Sequence, residues 1–290
     1  MSSLTALVCL RVLPELGRSI GWERSAAGPL LRFGGWMTVS NVVSPLMVTL
    51  DRFLIGAMVS LAAVAYYATP YEVVTKFWLL PGALMGVMFP AFSTGFAQDR
   101  ERTALLYGRS IKSLFLVLFP VMLCTVALAQ DGLKLWLGAE FAQHSFRVLQ
   151  WLTVGVFVNS LAYVPYAFLQ GAGRPDLTAT LHLIELPLYL GLLWWLISTH
   201  GIEGAAVAWS VRVSVDALFL FELARRVLAR KNPVRLRTAL FPALALALAA
   251  LLHGPLVKIL FLLGTILCFA LVTWFRVLTP EERSLAKSYR

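Results

Sequence analysis

Seven polar or ionisable side chains interrupt otherwise apolar runs of this 290-residue chain: Asn41, Glu72, Lys76, Asn159, Glu185, Arg212 and Asp216. Glu72 and Lys76 stand four apart, one helical turn, so each can neutralise the other. Arg212 and Asp216 repeat that spacing, and His182 with Glu185, three apart, share a helix face. Ser40, Asn41 and Ser44 lead up to Pro45, and Ser160 follows Asn159. An ionised group at mid-bilayer costs at least ~2.5–3.5 kcal/mol, so each needs a reason to be there. One reading makes them structural pairs that fix helix register. The other makes them the lining of a hydrated cavity that touches a polar substrate or carries protons. Arg212 and Asp216 lean toward the structural pair, Glu185 leans toward the cavity, and Glu72 with Lys76 stays open between the two. Asp51 and Arg52 are expected at an interface, at the outer end of the first apolar run.

Several chemistries have no foothold. The chain has no GxxxxGK[ST] loop, no HExxH and no CxxC, which argues against ATP hydrolysis and zinc chemistry. Cys9, Cys124 and Cys268 lie in apolar surroundings without metal-ligand spacing and read as small hydrophobes. No catalytic residue, metal ligand or cofactor site is expected, and the protein is not expected to be an enzyme. A membrane-embedded polymerase or ligase would need a carboxylate or basic cluster on a sizeable loop, and the loops here are short. Trp78, Trp136, Trp151, Trp194, Trp195 and Trp274 fall mostly near the ends of apolar runs, where an interfacial belt explains them. Sugar stacking is the alternative.

The elements that must carry these residues are apolar helices. Eight long hydrophobic runs cover about 34–54, 62–92, 108–129, 146–169, 177–199, 204–224, 238–253 and 255–275, the seventh marginal in length. At ~1.5 Å per residue most can cross a ~30 Å hydrocarbon layer. With 59% hydrophobic and only 14% charged residues, the fold class is all-α, a polytopic membrane protein of about eight transmembrane helices. The second run is too long for one straight crossing, and Pro70, Pro81 and Pro90 predict a bend. The longest connector, around Asp131 to Ser145, contains the amphipathic LKLWLGAEF. The organisation expected is an interfacial segment over 1–32, a six-helix lobe over 33–229, and a basic linker, two further helices and a tail over 230–290.

Charge orients the runs. Of 25 Lys and Arg, only Arg52, Lys134, Arg147 and Lys258 border the odd-numbered gaps, and Lys76 and Arg212 lie inside runs. The rest fall in the leading segment, the even-numbered gaps and the tail. Positive charge resists translocation, so the even gaps and both termini are expected in the cytoplasm. The net charge of +10 is spread over loop anchors rather than one folded face, which argues for membrane lipids and against nucleic acid as partner. Arg225, Arg226, Arg230, Lys231, Arg235 and Arg237 form the densest cluster, suited to anionic headgroups.

Several strings resemble the bacterial polysaccharide flippases, the Wzx-like branch of the multidrug, oligosaccharidyl-lipid and polysaccharide exporter superfamily. They include FGGWMTVSNVVSPLMVTLDRFLIG at 33–56, AAVAYYATPYEVVTK at 62–76 and LPGALMGVMFPAFS at 80–93. Further on come LWLGAEFA at 135–142, LQGAGRPD at 169–176, HLIELPLYLGLLWW at 182–195 and GIEGAAVAWSVRVSVDALFL at 201–220. The resemblance implies flipping of undecaprenyl-pyrophosphate-linked oligosaccharide across the bacterial inner membrane for O-antigen-type polysaccharide. It implies two six-helix lobes facing across a cavity, rocking to give alternating access. This chain corresponds to the second lobe with two C-terminal helices. A missing first lobe or a second copy is therefore expected to complete the cavity, a partial reading frame being favoured over a homodimer. A cation-coupled drug exporter of the same superfamily is the alternative within the transport class.

Overall fold

The computed structural model describes residues 24–228, 236–252, 254–278 and 283. Most of the expected N-terminal segment, the linker residues 229–235 and most of the tail lie outside these, and with them Arg230, Lys231 and Arg235. The chain is helical throughout the described residues. In order come α1 (Arg24–Met58), α2 (Leu61–Thr75), a 3-10 turn (Lys76–Trp78), α3 (Leu79–Gln98) and α4 (Arg100–Ala127). Then follow α5 (Ala129–Leu137), α6 (Ala139–Gly171), α7 (Pro175–Leu228), α8 (Leu236–Leu251) and α9 (Pro255–Val272), the last running into a π turn (Thr273–Val277).

Six of these stretches are long and apolar enough to cross a membrane. One of them, α7, is two crossings: its helical path breaks at Gly201, whose φ of 59° and ψ of −135° suit only glycine. We call its arms α7a (175–200) and α7b (202–228). The short α8, with an apolar core over Phe241–Leu251, accounts for the seventh run expected from hydropathy.

Local chemistry sets the boundaries. Ser60 Oγ accepts from the Ala63 N–H at 3.0 Å and starts α2, and the Asp99 carboxylate accepts from the Arg102 N–H at 2.9 Å and starts α4. Pro175 opens α7 at the position where its missing N–H costs nothing. Pro70 and Pro90 sit inside α2 and α3 without breaking them. The bend of the long second run falls instead at Lys76–Trp78, just ahead of Pro81. Proline there removes the donor that would bond back to Phe77, and the freed turn tightens to 3-10.

The central element is α6, the most buried of the long helices, which packs against α2, α3, α4, α5 and α7. Gly155 lets α7b approach it: a Cβ there would lie 2.5 Å from the Trp209 ring and 2.8 Å from Ser210 Oγ. Helix α1 packs on α7 and α2, while α8 and α9 lean on α4. Odd-numbered connectors meet at one end of the bundle. There Ser145 Oγ donates to the Tyr66 carbonyl at 2.9 Å, Arg147 pairs with Glu203 at 3.6 Å, and Lys258 pairs with Asp131 at 2.6 Å. The second and fourth connectors meet at the other end, where Phe168 packs edge-on against Phe92, Phe96 and Tyr107 at 5.5–5.8 Å. The alternation of charge along the sequence thus becomes two distinct ends of one bundle.

Candidate functional site

The mid-span polar residues sort into an exposed face and a buried interior. Both arise where α1, α2 and the two arms of α7 come together.

On the exposed face, Arg52 of α1 donates from Nη2 to Glu72 Oε1 of α2 at 3.0 Å. Lys76 Nζ lies 3.8 Å from the other carboxylate oxygen, so the four-residue spacing does bring Glu72 and Lys76 together, with Arg52 as the nearer partner. The Glu72 and Lys76 side chains are 55% and 80% exposed, and Arg52 is 32% exposed. The Arg52 guanidinium also covers the Tyr71 ring at 4.9 Å. Asn41, on α1, is exposed as well. Glu72 lies eleven residues along α2 from its start, ~16 Å down the helix. Two cations against one carboxylate leave the cluster net positive.

In the interior, Asp51 is fully buried. Its Oδ2 accepts from the Tyr67 hydroxyl at 2.6 Å and its Oδ1 from the Arg52 N–H at 2.7 Å. Arg212 and Asp216 do not form the local pair their spacing suggested. Arg212 reaches α1 instead, with Nη1 3.2 Å from the Met47 sulfur and its guanidinium 5.5 Å from the centre of the Tyr189 ring. Asp216 faces His182 of α7a at 3.8 Å. Packing of α7b against α7a and α1 supplies these partners, which spacing along one helix cannot reveal. Glu185 is buried beside them, its carboxyl group against that of Asp216, and His182 Nδ1 and the Tyr71 and Tyr189 hydroxyls have no protein hydrogen-bond partner. Arg212 acts electrostatically on Asp51, Glu185 and Asp216, with Arg52 acting on Asp51 more strongly from the outer face. The interior is thus acid-rich where the outer face is base-rich.

Asn159, half-buried on α6, is joined to none of the other candidates by a hydrogen bond or ion pair. Trp78 departs from the interfacial belt: it packs among Tyr71, Tyr163 and Trp209 at 6.2–6.4 Å. Sequence reasoning missed Arg52 and Tyr67, whose partners lie 20 and 16 residues away across a helix hairpin. No metal-binding cluster occurs among the described residues.

Turned toward lipid, each ion would cost at least ~2.5–3.5 kcal/mol. The fold and site define a class: a polytopic, all-helical membrane protein with an exposed cluster of charge on one side of its bundle.

Comparison with known proteins agrees. Residues 1–146 match the family model described as polysaccharide biosynthesis protein, and the chain belongs to that family. It is 38% identical over 191 residues to a Shigella flexneri protein named as an O-antigen transporter, covering 66% of this chain and 45% of the relative. A Haloferax volcanii protein named as a low-salt glycan biosynthesis flippase is 24% identical over 193 residues, covering 66% of this chain and 41% of its own length. The Escherichia coli lipopolysaccharide biosynthesis protein WzxC is 22% identical over 167 residues, covering 57% and 34%. This chain therefore spans less than half the length of each relative it matches. The resemblance to the polysaccharide flippases read from local strings is borne out.

Proposed function

We propose that this chain forms one wall of a flippase that carries undecaprenyl-pyrophosphate-linked oligosaccharide across the bacterial inner membrane. The observation that carries the reading is the Arg52–Glu72–Lys76 cluster, charged, exposed and lying within apolar helical runs. Such a face suits a hydrated cavity with positive excess, and the cargo headgroup is polar and anionic. The relatives' names point the same way. Asn41 belongs to the same exposed wall. Glu185, Arg212 and Asp216 lie behind it, where they hold α7 against α1 and balance its charge. Asn159 remains a candidate for the cavity only if rocking exposes α6.

The cargo is moved without covalent change, so the protein acts as a transporter and not as an enzyme. A second six-helix unit, on another stretch of polypeptide or in a second copy, supplies the opposite wall. The basic even-numbered connectors and both termini face the cytoplasm, and anionic headgroups hold the arginine-rich end of α7.

Genetic complementation tests the reading. A strain lacking its own polysaccharide flippase receives this chain, alone and joined to a first lobe. Return of surface polysaccharide in either arm supports the proposal. If both arms insert at normal levels and restore nothing, the proposal fails.

A further inference from the structure

A groove of about 480 Å³ opens beside the exposed charges, lined by Ala68, Thr69, Glu72, Val73, Lys76 and Trp136. Five of these come from α2 and its 3-10 turn, and the sixth crosses from α5. That short helix buries Ala129 and Leu133 and turns Trp136 outward, 63% exposed. An interfacial belt accounts for a tryptophan that meets headgroups. It does not account for one that shares a groove with a carboxylate and an ammonium group.

We infer that this groove is a sugar-ring subsite, with Trp136 as its stacking platform and Glu72 and Lys76 as its hydroxyl-binding groups. The inference rests on the flippase reading above and names where its cargo touches this wall. A pyranose ring has an apolar C–H face and a rim of hydroxyls, and the groove offers a match to both. The Trp136 ring, with Ala68 and Val73, receives the C–H face. Glu72 accepts from hydroxyls while Arg52 and Lys76 hold its two oxygens from either side, so the carboxylate is fixed before the ligand arrives. Lys76 and the Thr69 hydroxyl donate.

Other occupants fit less well. An acyl chain gains nothing from an ion pair in its wall, and a bare phosphate gains nothing from tryptophan, alanine and valine. A few polar groups on apolar walls is the usual make-up of small-molecule sites. Helix α5 is an odd-numbered connector, so in the proposed topology the subsite lies toward the periplasmic side, where the headgroup is discharged.

The test uses the chain in its native host, with variants Trp136→Ala, Trp136→Leu and Trp136→Phe, reading surface polysaccharide per unit of inserted protein. The Ala and Leu variants are expected to lose roughly tenfold and the Phe variant to stay within about threefold of wild type, since only Phe retains an aromatic face. If Leu serves as well as Phe, Trp136 is an apolar anchor and the subsite is overturned. A second arm uses the purified chain in nanodiscs and saturation-transfer NMR, with the host's own repeat oligosaccharide, freed of its lipid, as probe. Transfer to ring protons that falls at least fivefold in Trp136→Leu supports the subsite, and equal transfer overturns it. Deleting the chain separates the two levels: unchanged surface polysaccharide defeats the flippase reading, while the NMR arm still decides the subsite.

Discussion

Glu72 anchors the exposed cluster because its two oxygens are shared between cations from different helices, Arg52 and Lys76. Asp51, one residue before Arg52, does the opposite work: it is sealed inside and tied to Tyr67 at 2.6 Å. Neighbours in sequence thus stand on an exposed face and in the core, and mutation should separate them. Arg52→Ala and Lys76→Ala are expected to cut surface polysaccharide roughly tenfold in the host while membrane levels stay normal. Tyr67→Phe leaves a buried carboxylate short of a partner, a cost of ~1–3 kcal/mol. It should therefore lower the thermal unfolding midpoint and the amount of inserted protein, with activity per molecule nearly unchanged. Quantitative immunoblotting beside a polysaccharide assay distinguishes these outcomes. Spacing along one helix exposed the Glu72–Lys76 contact in advance. It misled for Arg212 and Asp216, because Met47, Tyr189 and His182 reach them from other segments.

At the scale of elements, hydropathy located all eight helical runs, since twenty apolar residues leave few alternatives. Their internal bends were less legible. Three prolines in the second run offered three places to bend, and only the turn ahead of Pro81 tightened. Tolerance at Pro70 and Pro90 depends on packing that sequence does not display. The same limit hid the role of Lys258, which read as a loop charge in the seventh gap. It is buried at 6% exposure and held by Asp131 at 2.6 Å, tying α9 to α5, while the Asp131 side chain stays 55% exposed. The pair should respond asymmetrically. Asp131→Asn strands a buried ammonium group and is expected to destabilise by ~3–5 kcal/mol, whereas Lys258→Met removes the buried charge and leaves a carboxylate that water can reach. Thermal unfolding of both variants checks this: Asp131→Asn should fall well below Lys258→Met, and equal losses would contradict the account.

Over the whole molecule, the chain is a bundle with two chemically different ends and one charged side. The ends were foreshadowed by basic residues in alternate gaps, and among the described residues the odd connectors come together at one end and the second and fourth at the other. The side was not foreshadowed, because helices this apolar carry little contrast between faces. It is marked by Arg52, Glu72 and Lys76, which stand exposed together. The most direct measurement is thiol accessibility in intact membranes, with Cys9, Cys124 and Cys268 replaced by serine. Single cysteines would stand at Thr69 and Lys76 on the charged side, and at Leu263 and Leu271 on the outer face of α9. A membrane-impermeant thiol reagent should modify the first pair readily and the second pair hardly at all. Equal resistance at all four positions would mean that no water reaches the charged side, and would contradict a cavity there.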